Sequence, residues 1–468
     1  MKTAVIRASW MEGYGYRLDT QPYVGGALQA KILLEELPLR KDPLHTLTKG
    51  HDGGIYNGPQ FRRNYVEDPA HGVRFLTGSS MQLADLSNVS LLSRRDATGK
   101  KLRHLRLERG MTLISCSGSI GKMAYVRPEM AGIWSSQDIL KVVPDPEKIP
   151  PGYLYAFLSS KFGVPLVTSG TYGAIIQHLE PEHIAGIGVP RLDPAQEQEI
   201  HDLVEEAAQL RSEAASAKAT AIHGFNEWTG YDSVDRSTHG LESTYGITSS
   251  ESLGKRMDGA YYFAPALNAR RCWDQKIAED GGAKLGGIAD VFIPTIFKRE
   301  YAQNPEDGVP YITGADVFQI RPSTELFLHR SIAEKHRLTL TKGMILIHEA
   351  GQRYGLIGRS AYVHKTFAGW SCTNNMVRVA PKKHEDTGFL FTVLSSNPGV
   401  LLLKREAAGS SIPHLDANNV ADIEVPWPSR EKRFSLGQPM DESISKYEQA
   451  NELEDRSSNL LKTFLKVY

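Results

Sequence analysis

Hydrophobic positions along this chain change period several times, and each change marks an element. Met111-Thr112-Leu113-Ile114-Ser115 and Met123-Ala124-Tyr125-Val126 are β-branched or aromatic runs bounded by glycine, which predicts strands. Tyr153–Ser160 follows Pro150-Pro151-Gly152 with apolar residues at helical spacing, which predicts a helix. Ile187-Gly188-Val189-Pro190 and Ile423-Glu424-Val425-Pro426 read as short strands closed by proline. From Pro194 the chain is free of glycine and proline until Gly224. Its apolar positions there are Ile200, Leu203, Ala207, Leu210, Ala214, Ala217 and Ala221, in steps of three and four, the seam of a heptad helix. Near the end, Ile444, Tyr447, Asn451, Glu454, Ser458, Leu461 and Leu465 keep the same steps with polar residues in the middle. Neither helix has an apolar face wide enough to stand alone in water. Packing of the two on each other is the simplest remedy, preferred over each packing on its own domain.

The same pattern occurs twice. Gly152–Pro190 aligns without a gap onto Gly388–Pro426, 236 residues further on, with 16 of 39 positions identical. The shared residues include Leu158-Ser159-Ser160 with Leu394-Ser395-Ser396, His178-Leu179 with His414-Leu415, and Val189-Pro190 with Val425-Pro426. Phe61-Arg62-Arg63-Asn64-Tyr65 matches Phe297-Lys298-Arg299-Glu300-Tyr301 at the same offset, and Thr77-Gly78 matches Thr313-Gly314. Solenoid periods run to about 20–50 residues, so this is a duplicated domain. Each half mixes helix and strand, an α+β class. The expected layout is a first domain at 1–193, a long helix at 194–229, a linker at 230–252 rich in Gly, Ser, Thr and Asp, a second domain at 253–428 and a second helix at 429–468.

A length of 468 residues suits two or three ordinary domains. Hydrophobic residues make up 41% and no apolar run approaches the roughly 18 residues of a membrane span. The first residues lack the apolar stretch of a secretory signal, and three scattered cysteines do not form a disulfide framework, so a reducing cytoplasm is expected. The 54 basic residues balance 54 acidic ones, which argues against a general nucleic-acid binder but leaves room for local basic clusters. The chain carries no Asn/Asp-Pro-Pro-aromatic, H-E-x-x-H, paired C-x-x-C or G-x-S-x-G motif. No cysteine has metal-ligand spacing to the 15 histidines. The expectation is no catalytic residue, no metal and no cofactor of its own.

Candidate contact residues cluster in a few places. In Gly118-Ser119-Ile120-Gly121-Lys122 a glycine turn could bring backbone N–H groups and Lys122 to a phosphate, or could simply join two strands with a solvated cation. The second copy keeps the turn with Arg359 in place of Lys122, and both readings stay open. Before that turn the second copy has four extra residues within His348–Tyr354, where Gln352 and Arg353 could make bidentate contacts to base edges. Arg62-Arg63 and Lys298-Arg299 each follow a phenylalanine, as a backbone-contacting cation pair would, or as neighbours of a core anchor. Arg94, Arg95, Lys100, Lys101 and Arg103 form a basic run in the first domain only, with Asp96 its one acid. His178 and His414 recur in both copies, which favours a structural role. Their variable neighbours Gln177, Ser410 and Ser411 are better candidates for contact.

Three ordered sets of residues then carry a family resemblance. One is Gly110-Met111-Thr112-Leu113-Ile114 followed by Gly118–Lys122, echoed by Gly343-Met344-Ile345-Leu346-Ile347 followed by Gly355–Arg359. Another is Gly173–Leu179 and Gly409–Leu415, each leading into Ile-x-Val-Pro, and the third is Glu197-Gln198 just past that proline. With these motifs in this order, nearly the whole chain resembles the DNA-specificity subunit of a type I restriction-modification system. The resemblance implies two tandem target recognition domains joined by two long spacer helices that form an antiparallel coiled coil, with approximate two-fold symmetry. It implies reading of a bipartite, asymmetric site on double-stranded DNA, in a complex with two methyltransferase subunits and, for restriction, motor-nuclease subunits. S-adenosylmethionine, magnesium and ATP would belong to those partners. The alternatives are a targeting module of another defence complex, or a nuclease or methyltransferase that uses similar recognition domains. The second half departs from the pattern: Arg430-Glu431-Lys432 stands at the expected Glu-Gln helix start, and Gly437-Gln438-Pro439 follows. The second helix is therefore expected to begin late.

Overall fold

The computed structural model describes residues 26–169, 178–231, 253, 256–352, 355–409 and 411–465. The chain divides into two compact units, Met1–Ser212 with Gln449–Tyr468, and Glu213–Glu448. Most of the linker expected at 230–252 lies outside the described residues.

The first unit contains strands β1 (Lys41–Pro43), β2 (Ile55–Tyr56), β3 (Tyr65–Val66), β4 (Gly72–Leu76), β5 (Leu91–Ser93), β6 (Thr112–Ser115), β7 (Met123–Tyr125), β8 (Trp134–Ser135), β9 (Ile139–Val142) and β10 (Gly188–Pro190). They form a four-stranded sheet in the order β2-β9-β6-β7, a second in the order β3-β5-β4-β8, and the pair β1-β10. Both runs read as strands lie in the first sheet, as β6 and β7. The expected helix is Pro151–Leu158, opened by proline at its first turn, where the missing N–H costs nothing. Leu140, Val142, Tyr153, Leu154, Phe157 and Leu158 form the main core with Ile200 of the first long helix and Leu461 and Leu465 of the second.

The second unit contains β11 (Gly282–Lys284), β12 (Ala289–Phe292), β13 (Gly308–Ile312), β14 (Phe327–His329), β15 (Ile345–His348), β16 (Ser360–Tyr362), β17 (Ser371–Cys372), β18 (Met376–Pro381) and β19 (Glu424–Pro426). Its sheets repeat the plan of the first: β12-β18-β15-β16, β14-β13-β17, and β11-β19. A parallel pair joins β4 to β8 and β13 to β17 in an otherwise antiparallel set. The isolated bridge Tyr301↔Leu328 stands where β3 pairs with β5 through Tyr65↔Leu92. Duplication also explains the conserved Leu-Ser-Ser. Ser160 Oγ accepts from Gly163 N at 3.1 Å and donates to Phe157 O at 2.6 Å, which turns the chain into the next helix. Ser396 Oγ repeats this with Gly399 N at 3.1 Å and Val393 O at 2.7 Å.

Two helices of 35 residues, Pro194–Trp228 and Arg430–Phe464, contribute segments to both units. In the first unit Arg211, 2% exposed, donates to Asn451 Oδ1 at 3.0 Å and pairs with Glu454 at 2.8 Å. Polar residues in the middle of the second seam therefore face a buried cation. In the second unit Ser443 Oγ donates to Ala214 O at 2.7 Å, and Lys446 pairs with Glu213 at 2.5 Å.

The second long helix does not begin late. It runs unbroken from Arg430 through Pro439. A proline inside a helix removes one hydrogen bond and costs about 3 kcal/mol, so packing must offset it. Gly437 lies so close to the backbone of Phe389 that a Cβ there would sit 2.6 Å from the Phe389 nitrogen, and Met440 is fully buried. The helix start itself is held by different chemistry in each unit. In the first, buried Glu197 accepts from Arg191 Nε and Nη2, both at 2.8 Å, which explains the Glu-Gln start. In the second, Trp427 and Arg433 occupy the matching positions, 236 residues on. There the Arg433 guanidinium lies 4.4 Å from the Trp427 ring centre and donates to Asp386 at 2.9 Å. A salt bridge has become a cation–π contact at the same place.

The buried polar layer makes a direct prediction. Arg211→Ala should lower unfolding stability by about 3 kcal/mol in urea titrations, because Asn451 and Glu454 lose a buried partner. A loss under about 0.5 kcal/mol would show that this layer is solvated like an ordinary surface pair.

Candidate functional site

Strand register gathers several loops at one end of each four-stranded sheet. In the first unit Tyr56 pairs with Lys141, Ser115 with Ile139, and Ile114 with Met123. The end of β2, the end of β6, the start of β7 and the start of β9 thus share one edge. Segments 57–64, 116–122 and 136–138 leave from that edge. Cys116 N donates to Asp138 O at 3.0 Å and Leu179 N to Cys116 O at 3.0 Å, so the segment around His178 joins them. The second unit makes the same two bonds with different residues, Glu349 N to Asn375 O at 3.3 Å and Leu415 N to Glu349 O at 2.9 Å.

A buried cation underlies each loop end. Lys141 on β9 is fully buried and donates to Ser136 O at 2.9 Å and Ile139 O at 2.7 Å. Arg378, at the same place on β18, donates to the carbonyls of Leu338, Cys372, Thr373 and Met376 at 3.0–3.4 Å. Each cation thus ties the carbonyl of its strand's first residue to that of the segment before the strand, and Arg378 also reaches Leu338, whose carbonyl accepts from Cys372 N as well. Burial pushes the Lys141 ammonium down to about 7, against the pull of Cys116 and Asp138. Burial also pushes Arg378 down to about 10.

In the first unit Phe61 packs edge-on against Phe75, ring centres 6.1 Å apart, which fixes the loop that carries Arg62 and Arg63. Arg63 is held by Asp138 at 2.6 Å with both partners half-buried, while Arg62 is exposed. Lys101 Nζ donates to Gln60 O at 3.0 Å, and Tyr56 Oη to His104 O at 3.0 Å. The exposed Lys100, Lys101 and Arg103 segment therefore lies along this loop. Arg94 turns elsewhere: its Nη2 donates to Gly72 O at 2.9 Å, and Arg330 repeats that bond to Gly308 O at 3.3 Å. Arg95 is exposed beside it.

In the second unit the inserted loop folds onto the segment before His414. Gln352 Nε2 donates to Ser411 O at 3.1 Å and Gly351 N to Pro413 O at 3.1 Å, so Gln352 and Ser411 meet. Phe297 packs on Tyr311 with ring centres 6.4 Å apart, as Phe61 does on Phe75. Lys298 lies 3.3 Å from Glu300 with both side chains exposed, and Arg299 is exposed. Gln177, Arg353 and Ser410 lie outside the described residues.

The glycine turns join β6 to β7 and β15 to β16. Gly121 and Gly358 have φ of 84° and 76°, a region that favours glycine. A Cβ on Gly121 would meet Thr168 at 2.5 Å, so the turn also presses on the helix Gly163–Ser169. Lys122 and Arg359 follow these turns and are half-exposed. His178 pairs with Glu180 at 3.3 Å, and His414 with Glu349 at 3.0 Å. Sequence reasoning did not single out Asn57, Gln60, Asp138, Glu180 or Ile296 at these ends. Register of the Phe-Arg-Arg repeat would have set Gln60 opposite Ile296.

A family model described as the type I restriction modification DNA specificity domain matches residues 283–463. Over that span the sequence is similar to this domain. The matched span starts in β11 and includes the second loop end. Among solved structures, the chain is similar to the type I restriction-modification S subunit from M. genitalium, at 13% identity and a TM-score of 0.36, covering 92% of this chain and 96% of that one. It is also similar to the HsdS subunit from Thermoanaerobacter tengcongensis, at 12% identity and a TM-score of 0.28, covering 92% and 97%. No curated protein matches the sequence. Among the described residues, no helix is long and apolar enough to cross a membrane.

Lys141 makes the stability of the protein depend on pH. Its folded value of about 7 lies below the roughly 10.4 of an unfolded lysine. Between those values the unfolded chain holds a proton that the folded chain has shed, so stability should rise as pH increases from 7 toward 10. Urea midpoints measured across that range should show the rise in the wild type and lose it in Lys141→Met. A parallel rise in the variant would assign it to other groups.

Proposed function

We propose that this specificity subunit reads a bipartite, asymmetric DNA target, one block with the loop end of each unit, and that it is a non-catalytic component that positions methyltransferase and restriction subunits. The observation that carries the reading is a framework built twice with different side chains on it. Backbone bonds from 116 to 138 and from 349 to 375 repeat, whereas the second unit has Glu349 at the position of Cys116 and Asn375 at that of Asp138, and only its loop has an insertion. Repeated frames with divergent loops suit two related readers of different base sequences. Asymmetry of the target follows.

The domain layout proposed is recognition domain at 1–193, spacer helix at 194–229, linker at 230–252, recognition domain at 253–428 and spacer helix at 429–468, with approximate two-fold symmetry. Contacts within each unit support an antiparallel coiled coil of the spacers. In the first unit Ile200 shares a core with Leu461 and Leu465, while Arg211 meets Asn451, so numbers rise along one helix as they fall along the other. Two methyltransferase subunits and motor-nuclease subunits are the proposed partners, in the cytoplasm. The proposed DNA contacts are Arg62, Arg63, Lys100, Lys101, Arg103, Lys122 and Gln177 in the first unit, with Arg94 and Arg95 at its edge. In the second they are Lys298, Arg299, Gln352, Arg353, Arg359, Ser410 and Ser411.

Selection of bound sequences from a random duplex library tests this reading, and a single continuous block would overturn it. Lys122→Ala and Arg359→Ala should weaken binding to all sequences and each lower the salt slope by about one. Gln352→Ala should instead alter discrimination in one block, by about 1–3 kcal/mol for a lost bidentate contact.

The spacers should act as a ruler. Adding one heptad near Ala214 and a matching one at the residue opposite it, Ser443, whose hydroxyl bonds the Ala214 carbonyl, lengthens the pair by about 10 Å. At about 3.4 Å per base pair the preferred gap should grow by roughly three base pairs, with both blocks unchanged. Binding to duplexes of graded gap length measures this, and no change in gap would remove the helices from the spacing role.

A further inference from the structure

Ile296 is 87% exposed at the loop end of the second unit. Scattered exposed apolar side chains are ordinary on protein surfaces, so exposure alone says nothing. Its setting does. Thr295 Oγ1 lies 2.7 Å from His336 Nδ1, and the Phe297 ring packs on Tyr311 and His336 with centres 6.4 and 5.6 Å away. Both neighbours are tied down, so the backbone holds Ile296 out in a fixed place. The exposed Lys298 and Arg299 follow at once. The segment leaves β12 at Phe292, which pairs with Arg378, so it emerges from the same sheet edge as the Gln352 loop. Alignment on the anchored phenylalanines sets Ile296 against Gln60 of the first unit, also exposed, with its carbonyl held by Lys101. At one loop position the two units thus present an amide and an alkyl group.

An alkyl side chain can neither donate nor accept a hydrogen bond. In the major groove the thymine 5-methyl is the apolar group that base edges present. We propose that Ile296 reads a thymine methyl in the block bound by the second unit, a specificity-determining contact on that unit alone. It rests on the reading of this sheet end as the DNA-contacting face. The cations beside it hold the backbone while the isoleucine distinguishes the base. Covering one methyl group is worth about 0.8 kcal/mol, or about four-fold in affinity.

The test uses the full chain and the target selected from the random library. Each thymine of that target is replaced singly by deoxyuridine, which lacks only the methyl, and binding is measured for wild type, Ile296→Ala and Ile412→Ala. Ile412 is the control, since it is 57% exposed on the neighbouring loop. The expected result is one thymine in the second block whose replacement weakens wild-type binding about four-fold, with that loss absent in Ile296→Ala and kept in Ile412→Ala. First-block affinities should not change in either variant, which also shows that the fold is intact. The proposal is overturned by a second block without thymine on either strand, or by no deoxyuridine effect in it. A loss that persists in Ile296→Ala, or equal weakening of that variant on all sequences, overturns it too. Failure to select any two-block target would instead overturn the reading of the whole chain, so the two failures are separable.

Discussion

A cation buried in a central strand of each sheet is the constraint on which both loop ends depend. A turn that enters a strand leaves carbonyls pointing inward, and each needs a donor. Lys141 supplies donors to Ser136 and Ile139, and Arg378 supplies them to four carbonyls. Burying a cationic side chain is costly and its carbonyl bonds offset part of that cost, so these turns and their Lys or Arg hold each other in one arrangement. Asp138 and Asn375, whose carbonyls receive the next loop, lie inside those turns. The geometry of each loop end is thereby set from beneath, by buried side chains.

This division explains how the two units can diverge. Residues below the sheet edge are under the packing constraint, and there the chemistry repeats even where identity does not: Phe75 and Tyr311, Lys141 and Arg378. Residues in the loops beyond it are less constrained: there exposed Gln60 stands against exposed Ile296, and only the second unit carries an insertion, within His348–Tyr354. The proposed reading of two base sequences would need this separation, because base contacts would have to change without moving the backbone that carries them.

Where each long helix begins, the same logic runs through different forces. Arg191 and Glu197 form a bidentate salt bridge, whereas Trp427 and Arg433 form a cation–π contact backed by Asp386. Both fix the angle at which the chain leaves the domain. That is the quantity that matters if the helices space two recognition sites.

Sequence alone determined the duplication, the α+β class, the strands beside the glycine turns and the heptad seams, because these rest on local periodicity and on identity at a fixed offset. The seam residues Ile200, Ala207, Ala214, Ile444 and Leu461 are indeed buried. It misjudged the start of the second helix, where Gly437 and Pro439 are local breakers and only contact with Phe389 and burial of Met440 keep the turn helical. It grouped Arg94 with the basic run, although that side chain bonds the carbonyl of Gly72, distant in sequence. It passed over Ile296, since an isoleucine in a short segment reads as core until its neighbours are seen to be anchored and its own side chain left outside. Propensity and periodicity act between residues close in the chain. Which side chains share a sheet edge, which cations are spent on carbonyls and which remain exposed are decided by strand register, and register is a property of the folded whole.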